Sequence, residues 1–179
     1  MKSDMTKQYR LLAALLPLAF LLSGCGLTQS VSDGTKSVVT AIFYKTVKTL
    51  RLDLKARAAL NPDEDGMPLA TDVWVYQLKD RQAFDKADYA ALQSDANTVL
   101  GADLVAEKDV WVRPGNTVSL DMLLDEKAQY VALVAQFRSP DARKNDWRLV
   151  LTRDDLDPDK ARTVSLEGNS LMLKTSDDK

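Results

Sequence analysis

Residues 46–57 read TVKTLRLDLKAR, and their pattern decides the fold class. Leu50, Leu52 and Leu54 alternate with Arg51, Asp53 and Lys55. A period of two gives a strand with one buried and one wet face. Working outward, TDVWVYQLKD (71–80) is apolar on both faces, as a central sandwich strand is. DLVAEKDVWV (103–112), the turn Arg113-Pro114-Gly115-Asn116 and TVSLDMLL (117–124) read as strand, turn, strand. QYVALVAQF (129–137), WRLVLT (147–152), ARTVSLEG (161–168) and NSLMLK (169–174) complete the set, with Gly168-Asn169 a tight turn between the last two. About eight strands separated mostly by short turns predict a mostly-β fold, a sandwich of two antiparallel sheets. One helix interrupts them: RQAFDKADYAALQ (81–93) sets Phe84, Ala87 and Ala91 on one face with Leu92 alongside. Strands and helices do not alternate repeatedly, which argues against a parallel α/β sheet.

The beginning of the chain has a different character. Lys2, Lys7 and Arg10 precede an apolar run from Leu11 to Leu22, of signal-peptide length and short of the about 20 residues a spanning helix needs. Leu22-Ser23-Gly24-Cys25 then resembles the bacterial lipobox, in which small residues admit the signal peptidase. In proteins with that motif the cysteine thiol is diacylated and the new N-terminus is acylated with a chain of the palmitate kind. The plainer alternatives are an ordinary signal peptide with an incidental cysteine, or a short buried helix. Cys25 has no second cysteine to pair with, so an exported free thiol would be a liability. Acylation consumes it, and each acyl chain contributes on the order of 10 kcal/mol of membrane affinity at ~0.8 kcal/mol per methylene.

The expected organisation is therefore a leader over 1–24, an acylated and flexible tether over 25–35 (Gly, Ser and Thr-rich), and a domain over 36–179. Within that domain, KSVVTAIFYK (36–45) fits a short helix or an extra strand. Gly26 after the cysteine, by resemblance to enterobacterial sorting, favours the outer membrane. Losing the leader removes three cations and one anion, so the formal charge moves from -2 to -4. Neither value, without a basic block, invites nucleic acid.

The chain has no histidine, which removes Ser-His-Asp and Cys-His catalysis and the commonest zinc ligand. No Gly-rich phosphate loop occurs. Asp63-Glu64-Asp65 and Asp154-Asp155, Asp157 and Asp159 lack the ligand spacing of an EF-hand and read as solvated turn formers, with Asp157-Pro158 a turn. No cofactor or metal is expected beyond the lipid on Cys25. Trp74, Trp111 and Trp147 fall inside strand patterns and read as core.

The most informative connection is ALNPDEDGMPLA (59–70). Hairpin loops run about two to five residues, and this one is far longer. Pro62 and Pro68 stiffen it, Asp63, Glu64 and Asp65 charge it, and Met67 and Leu69 are apolar tips. A stiff projection loses less entropy on docking than a floppy one, although surface insertions are also tolerated at little cost.

After the lipobox and the first strand come Asn61-Pro62, Gly66-x-Pro68, Val73-x-Val75-Tyr76-Gln77-Leu78-Lys79, Phe84, Ala87-Asp88 and Pro114-Gly115. Tyr130-Val131-Ala132-Leu133-Val134-Ala135-x-Phe137-Arg138 and Trp147-Arg148 follow in order. This series resembles the TssJ (SciN) lipoproteins of the bacterial type VI secretion system across essentially the whole mature chain, with less pattern after Trp147. The resemblance implies a transthyretin-like sandwich with a small helical addition, held at the inner leaflet of the outer membrane with its domain in the periplasm. It implies a non-enzymatic role: binding the periplasmic C-terminal region of the inner-membrane subunit TssM through the loop Asn61, Pro62, Asp63, Glu64, Asp65, Gly66, Met67, Pro68 and Leu69. The rival readings are a lipoprotein binding module of another envelope assembly and a lipid-tethered hydrolase using carboxylates.

Overall fold

The structure is a computed structural model that describes residues 47–174. The leader with Leu22, Ser23, Gly24 and Cys25, the tether and the 36–45 segment lie outside the described residues. Eight strands form two four-stranded sheets: β1 (Thr49–Leu60), β2 (Thr71–Leu78), β3 (Leu104–Val112), β4 (Thr117–Leu123), β5 (Tyr130–Ala135), β6 (Arg148–Thr152), β7 (Arg162–Gly168) and β8 (Ser170–Leu173). The first sheet has the order β4-β1-β7-β8 and the second β3-β2-β5-β6.

The alternation in β1 packs as expected. Leu50, Leu52 and Leu54 are fully buried. Opposite them in β4 stand Met122, Leu120 and Val118. Burying each leucine contributes roughly 2 kcal/mol. The intervening positions face water, where the Ser119 hydroxyl donates to Asp53 at 2.6 Å and Arg51 approaches Asp121 at 3.9 Å. β2 is buried along most of its length, with Val73, Val75, Tyr76, Gln77 and Leu78 all inaccessible. Gln77 is the buried polar exception and is fully used: its amide nitrogen donates to the Leu123 carbonyl at 2.7 Å and its oxygen accepts from the Asp125 N–H at 2.8 Å. This ties β2 of one sheet to the exit of β4 in the other.

Two features differ from the sequence expectation. First, β1 and β7 pair in parallel, with Leu54 beside Val164, although every other pairing is antiparallel. β7 is reached from β6 of the opposite sheet through a 3-10 turn (Arg153–Asp155) and the Asp157-Pro158 bend, a crossover long enough to reverse its direction. Second, the helix of 81–93 is two helices, α1 (Gln82–Lys86) and α2 (Tyr89–Leu100). Asp88 separates them by capping the second: its Oδ1 accepts from the Ala91 N–H at 2.8 Å. α2 is itself kinked at Asp95, whose carboxylate accepts from the Thr98 N–H (3.0 Å) and hydroxyl (2.6 Å). Phe84, Leu92, Ala96 and Leu100 are buried from these helices, whereas Ala87 and Ala91 are only half-buried.

Gly168 has a positive φ of 56° and starts the two-residue turn that pairs Glu167 with Ser170 in the β7–β8 hairpin. The Arg113–Asn116 turn is not a hairpin turn, because β3 and β4 lie in different sheets.

Candidate functional site

The connector after β1 spans Asn61 to Ala70 and also passes from one sheet to the other, which is why hairpin lengths do not apply to it. Its base is built on Asn61, which is buried despite being polar and has a φ of 46°. The Asn61 N–H donates to Gly168 O at 2.8 Å, and its side-chain oxygen accepts from the Arg138 N–H at 2.8 Å. Asparagine tolerates the left-handed region because its short amide can bond nearby backbone, and here its Nδ2 donates to Ala70 O at 3.4 Å. Leu69 N–H then donates to Leu60 O at 3.0 Å and closes the base.

The tip is held by its own residues. Asp63 Oδ1 accepts from the Asp65 N–H (3.0 Å) and the Met67 N–H (2.8 Å). The Gly66 N–H donates to Asp63 O, and the Asp63 N–H donates to Met67 O. Gly66 supplies the positive φ of 79° that this turn requires. Glu64 accepts from Arg138 Nη2, an exposed pair worth at most about 1 kcal/mol. From Glu64 to Ala70 every residue is exposed, and Met67 shows 61% of its surface. Pro62 and Asp63 are half-buried. The result is a projection with a self-bonded acidic turn and apolar side chains in water.

The second acidic stretch serves local structure. Thr152 donates its N–H and hydroxyl to Asp155 Oδ2, both at 2.7 Å, and these bonds, the backbone one first, hold the Asp155 carboxyl below its ordinary range. Asp157 accepts from the Asp159 and Lys160 N–H groups, which lower its pKa in the same way. Among the described residues no group of three or more His, Cys, Asp or Glu gathers as a metal site.

The tryptophans divide. Trp147 is core, and Tyr89 meets it edge-on at 5.0 Å. Trp74 is half-buried and stacks on Tyr76 at 6.2 Å. Trp111 contradicts the core expectation, with 65% of its surface exposed, because β3 is an edge strand and its outward residues have no neighbour on one side.

Two arginines that composition does not single out organise the region. Arg138 holds the connector from both backbone and side chain. Arg148 donates to the carbonyls of Phe84, Ala87 and Asp85 at 2.9, 2.9 and 3.2 Å and so caps the end of α1. Its guanidinium lies 4.9 Å from the Trp147 ring, so the neighbouring pair Trp147-Arg148 anchors the helices to the sheet.

Comparison with known proteins gives a consistent result. The family model described as type VI secretion lipoprotein (SciN, with VasD, EvfM and TssJ) matches residues 48–169. No curated protein matches the sequence. A chain in a structure described as the T6SS protein TssM C-terminal domain (869-1107) from EAEC is 46% identical over 72% of this chain and 99% of its own, with a TM-score of 0.68. A chain in a structure described as a type VI membrane complex is 47% identical over 72% and 99%, with a TM-score of 0.70. The T6SS lipoprotein TssJ1 from Pseudomonas aeruginosa is 28% identical over 73% and 98%, with a TM-score of 0.59.

Proposed function

Because this chain belongs to the SciN (TssJ) family of type VI secretion lipoproteins, we propose that it ties the secretion membrane complex to the outer membrane as a structural, non-catalytic part. The anchor is Cys25, acylated after removal of the leader at Gly24, and the segment 26–35 gives reach. The sandwich presents the Asn61–Leu69 connector to the periplasmic C-terminal region of a TssM-type inner-membrane subunit. The observation that carries this reading is the connector itself. Its tip is organised by its own hydrogen bonds and leaves Met67 and Leu69 in water. A preorganised apolar projection loses little conformational entropy on docking. The near-half identity to chains from structures described by TssM and by the membrane complex supports the choice of partner.

The test exchanges residues 62–69 for a short Gly-Ser turn, keeping Asn61 as the base. The shortened protein should keep its cooperative unfolding and lose capture of the TssM periplasmic region. Native affinity in that variant would sink the loop assignment. Cys25→Ser should leave the protein out of outer-membrane fractions, and unchanged fractionation would sink the anchor.

A further inference from the structure

The outer face of the second sheet carries a set of cross-strand pairs unused by the connector. The β2–β3 register sets Asp72 opposite Trp111, Trp74 opposite Asp109, and Tyr76 opposite Glu107. Directly opposed residues share a face, and positions two apart along a strand share it too. Each cross-strand pair therefore sets one ring against one carboxylate, with Trp74 and Tyr76 adjacent on this face of β2 and Glu107 and Asp109 adjacent on this face of β3. The α2 turn over 92–97 rises beside this face and makes an open groove of about 450 Å³, lined by Asp72, Trp74, Tyr76, Glu107, Trp111 and Gln136 among others.

The charge of this surface is uncompensated. None of the ion pairs among the described residues uses Asp72, Glu107 or Asp109. Lys108, between two of them in sequence, belongs to the opposite face of the strand. Glu107 receives only long approaches from the Asn97 amide, at 3.4 and 3.5 Å. Asp72 Oδ1 is shielded from solvent and has no partner at hydrogen-bonding geometry. Burial, then the charge of Asp109, raises the Asp72 pKa, and the approach of Trp74 and of the Val73 and Val110 backbones opposes this only in part. The Tyr76 phenol is raised by burial, then by Glu107 and Asp72. Burial leads both shifts, and the neighbouring carboxylates add to each in the same direction. Trp111 meanwhile holds a ring out into water at the edge of the groove.

We propose that this surface of paired rings and carboxylates is a binding groove for the lysine or arginine side chains of a basic protein segment. The ammonium or guanidinium lies over the Trp74 or Trp111 ring, and carboxylate oxygens of Asp72, Glu107 or Asp109 accept its N–H bonds. Ring faces and unpaired carboxylates both attract cations, and each strengthens the other where water is partly excluded. A neutral glycan would use the rings and Gln136 but would gain nothing from three negative charges, and an anion would be repelled. The inference rests on this surface alone and stands whether or not the connector is the TssM-docking element.

The experiment uses the full-length protein in detergent micelles with the indole N–H groups followed by NMR. The probes are a nine-residue peptide alternating lysine and serine, its glutamate counterpart, and a chito-oligosaccharide. The lysine peptide should shift the Trp74 and Trp111 signals saturably, leave Trp147 unmoved, and bind at least fivefold more weakly in 0.5 M salt. Trp111→Ala and Glu107→Gln, both at exposed positions, should each weaken it at least fivefold without lowering the unfolding midpoint. No saturable shift, equal binding of the glutamate peptide, or undiminished affinity in both variants would overturn the proposal. So would the oligosaccharide moving the same signals where the lysine peptide does not, which would make the groove a sugar site.

Discussion

Asn61–Ala70 and Arg113–Asn116 perform the same topological task, carrying the chain between the two sheets, yet one uses ten residues and the other four. The short connector is bonded to β1 at two of its four residues: Gly115 N–H donates to Arg57 O at 3.2 Å and Ala56 N–H donates to Asn116 O at 2.9 Å. The long one touches the scaffold through its base, at Asn61 and Leu69, and through the exposed Arg138–Glu64 pair, while its tip is bonded to itself. Four residues suffice to cross, so the remainder is not required by the fold. Added loop length costs little closure entropy, and selection can therefore spend it on a surface.

That contrast can be broken at its base. Leu60 is fully buried at the end of β1, and Leu60→Ala should destabilise by about 3 kcal/mol, read as a lowered urea midpoint with unchanged slope. A cost under about 1 kcal/mol would mean that the base of the long connector is as loose as its tip. Asn61→Ala removes the acceptor of the Arg138 N–H and places alanine at a φ of 46°, so about 2 kcal/mol should be lost. The same midpoint measurement checks it, and wild-type stability would show that the Asn61 bonds do not hold the base.

The finest test compares two glycines. Gly66 in the long connector and Gly115 in the short one have φ values of 79° and 75°, and a Cβ at either meets nothing within 4 Å. The local backbone penalty of alanine is thus the same, about 1 kcal/mol. Gly115→Ala should show all of it, because Gly115 itself and Asn116 are bonded to β1. Gly66→Ala should show half or less, because the exposed turn can adjust. Equal losses would mean that the tip is as strongly determined as the short crossing.

Much of this was legible from local pattern. Leu50, Leu52 and Leu54 announce β1 because side-chain direction alternates in any strand, whatever its partners. The break between α1 and α2 was also written in the chain, since Asp88 three residues before Ala91 is an N-cap arrangement, but the apolar spacing ran across it. Trp111 was not legible: its pattern is that of a buried strand residue, and only the sheet order makes β3 an edge. Arg148 was equally hidden, because its three acceptors are backbone carbonyls over sixty positions away.

The sequence by itself determined the strands and most of their turns, because side-chain alternation, Gly168 and Asp157-Pro158 act over a few residues. It also carried the family resemblance from Asn61 to Arg148. Tertiary structure alone decided that β1 meets β7 in parallel, that the Arg113–Asn116 turn crosses between sheets, and that carboxylates and rings meet in register across β2 and β3. Those outcomes depend on which distant strands bury one another's apolar faces, a global choice that local periodicity does not encode.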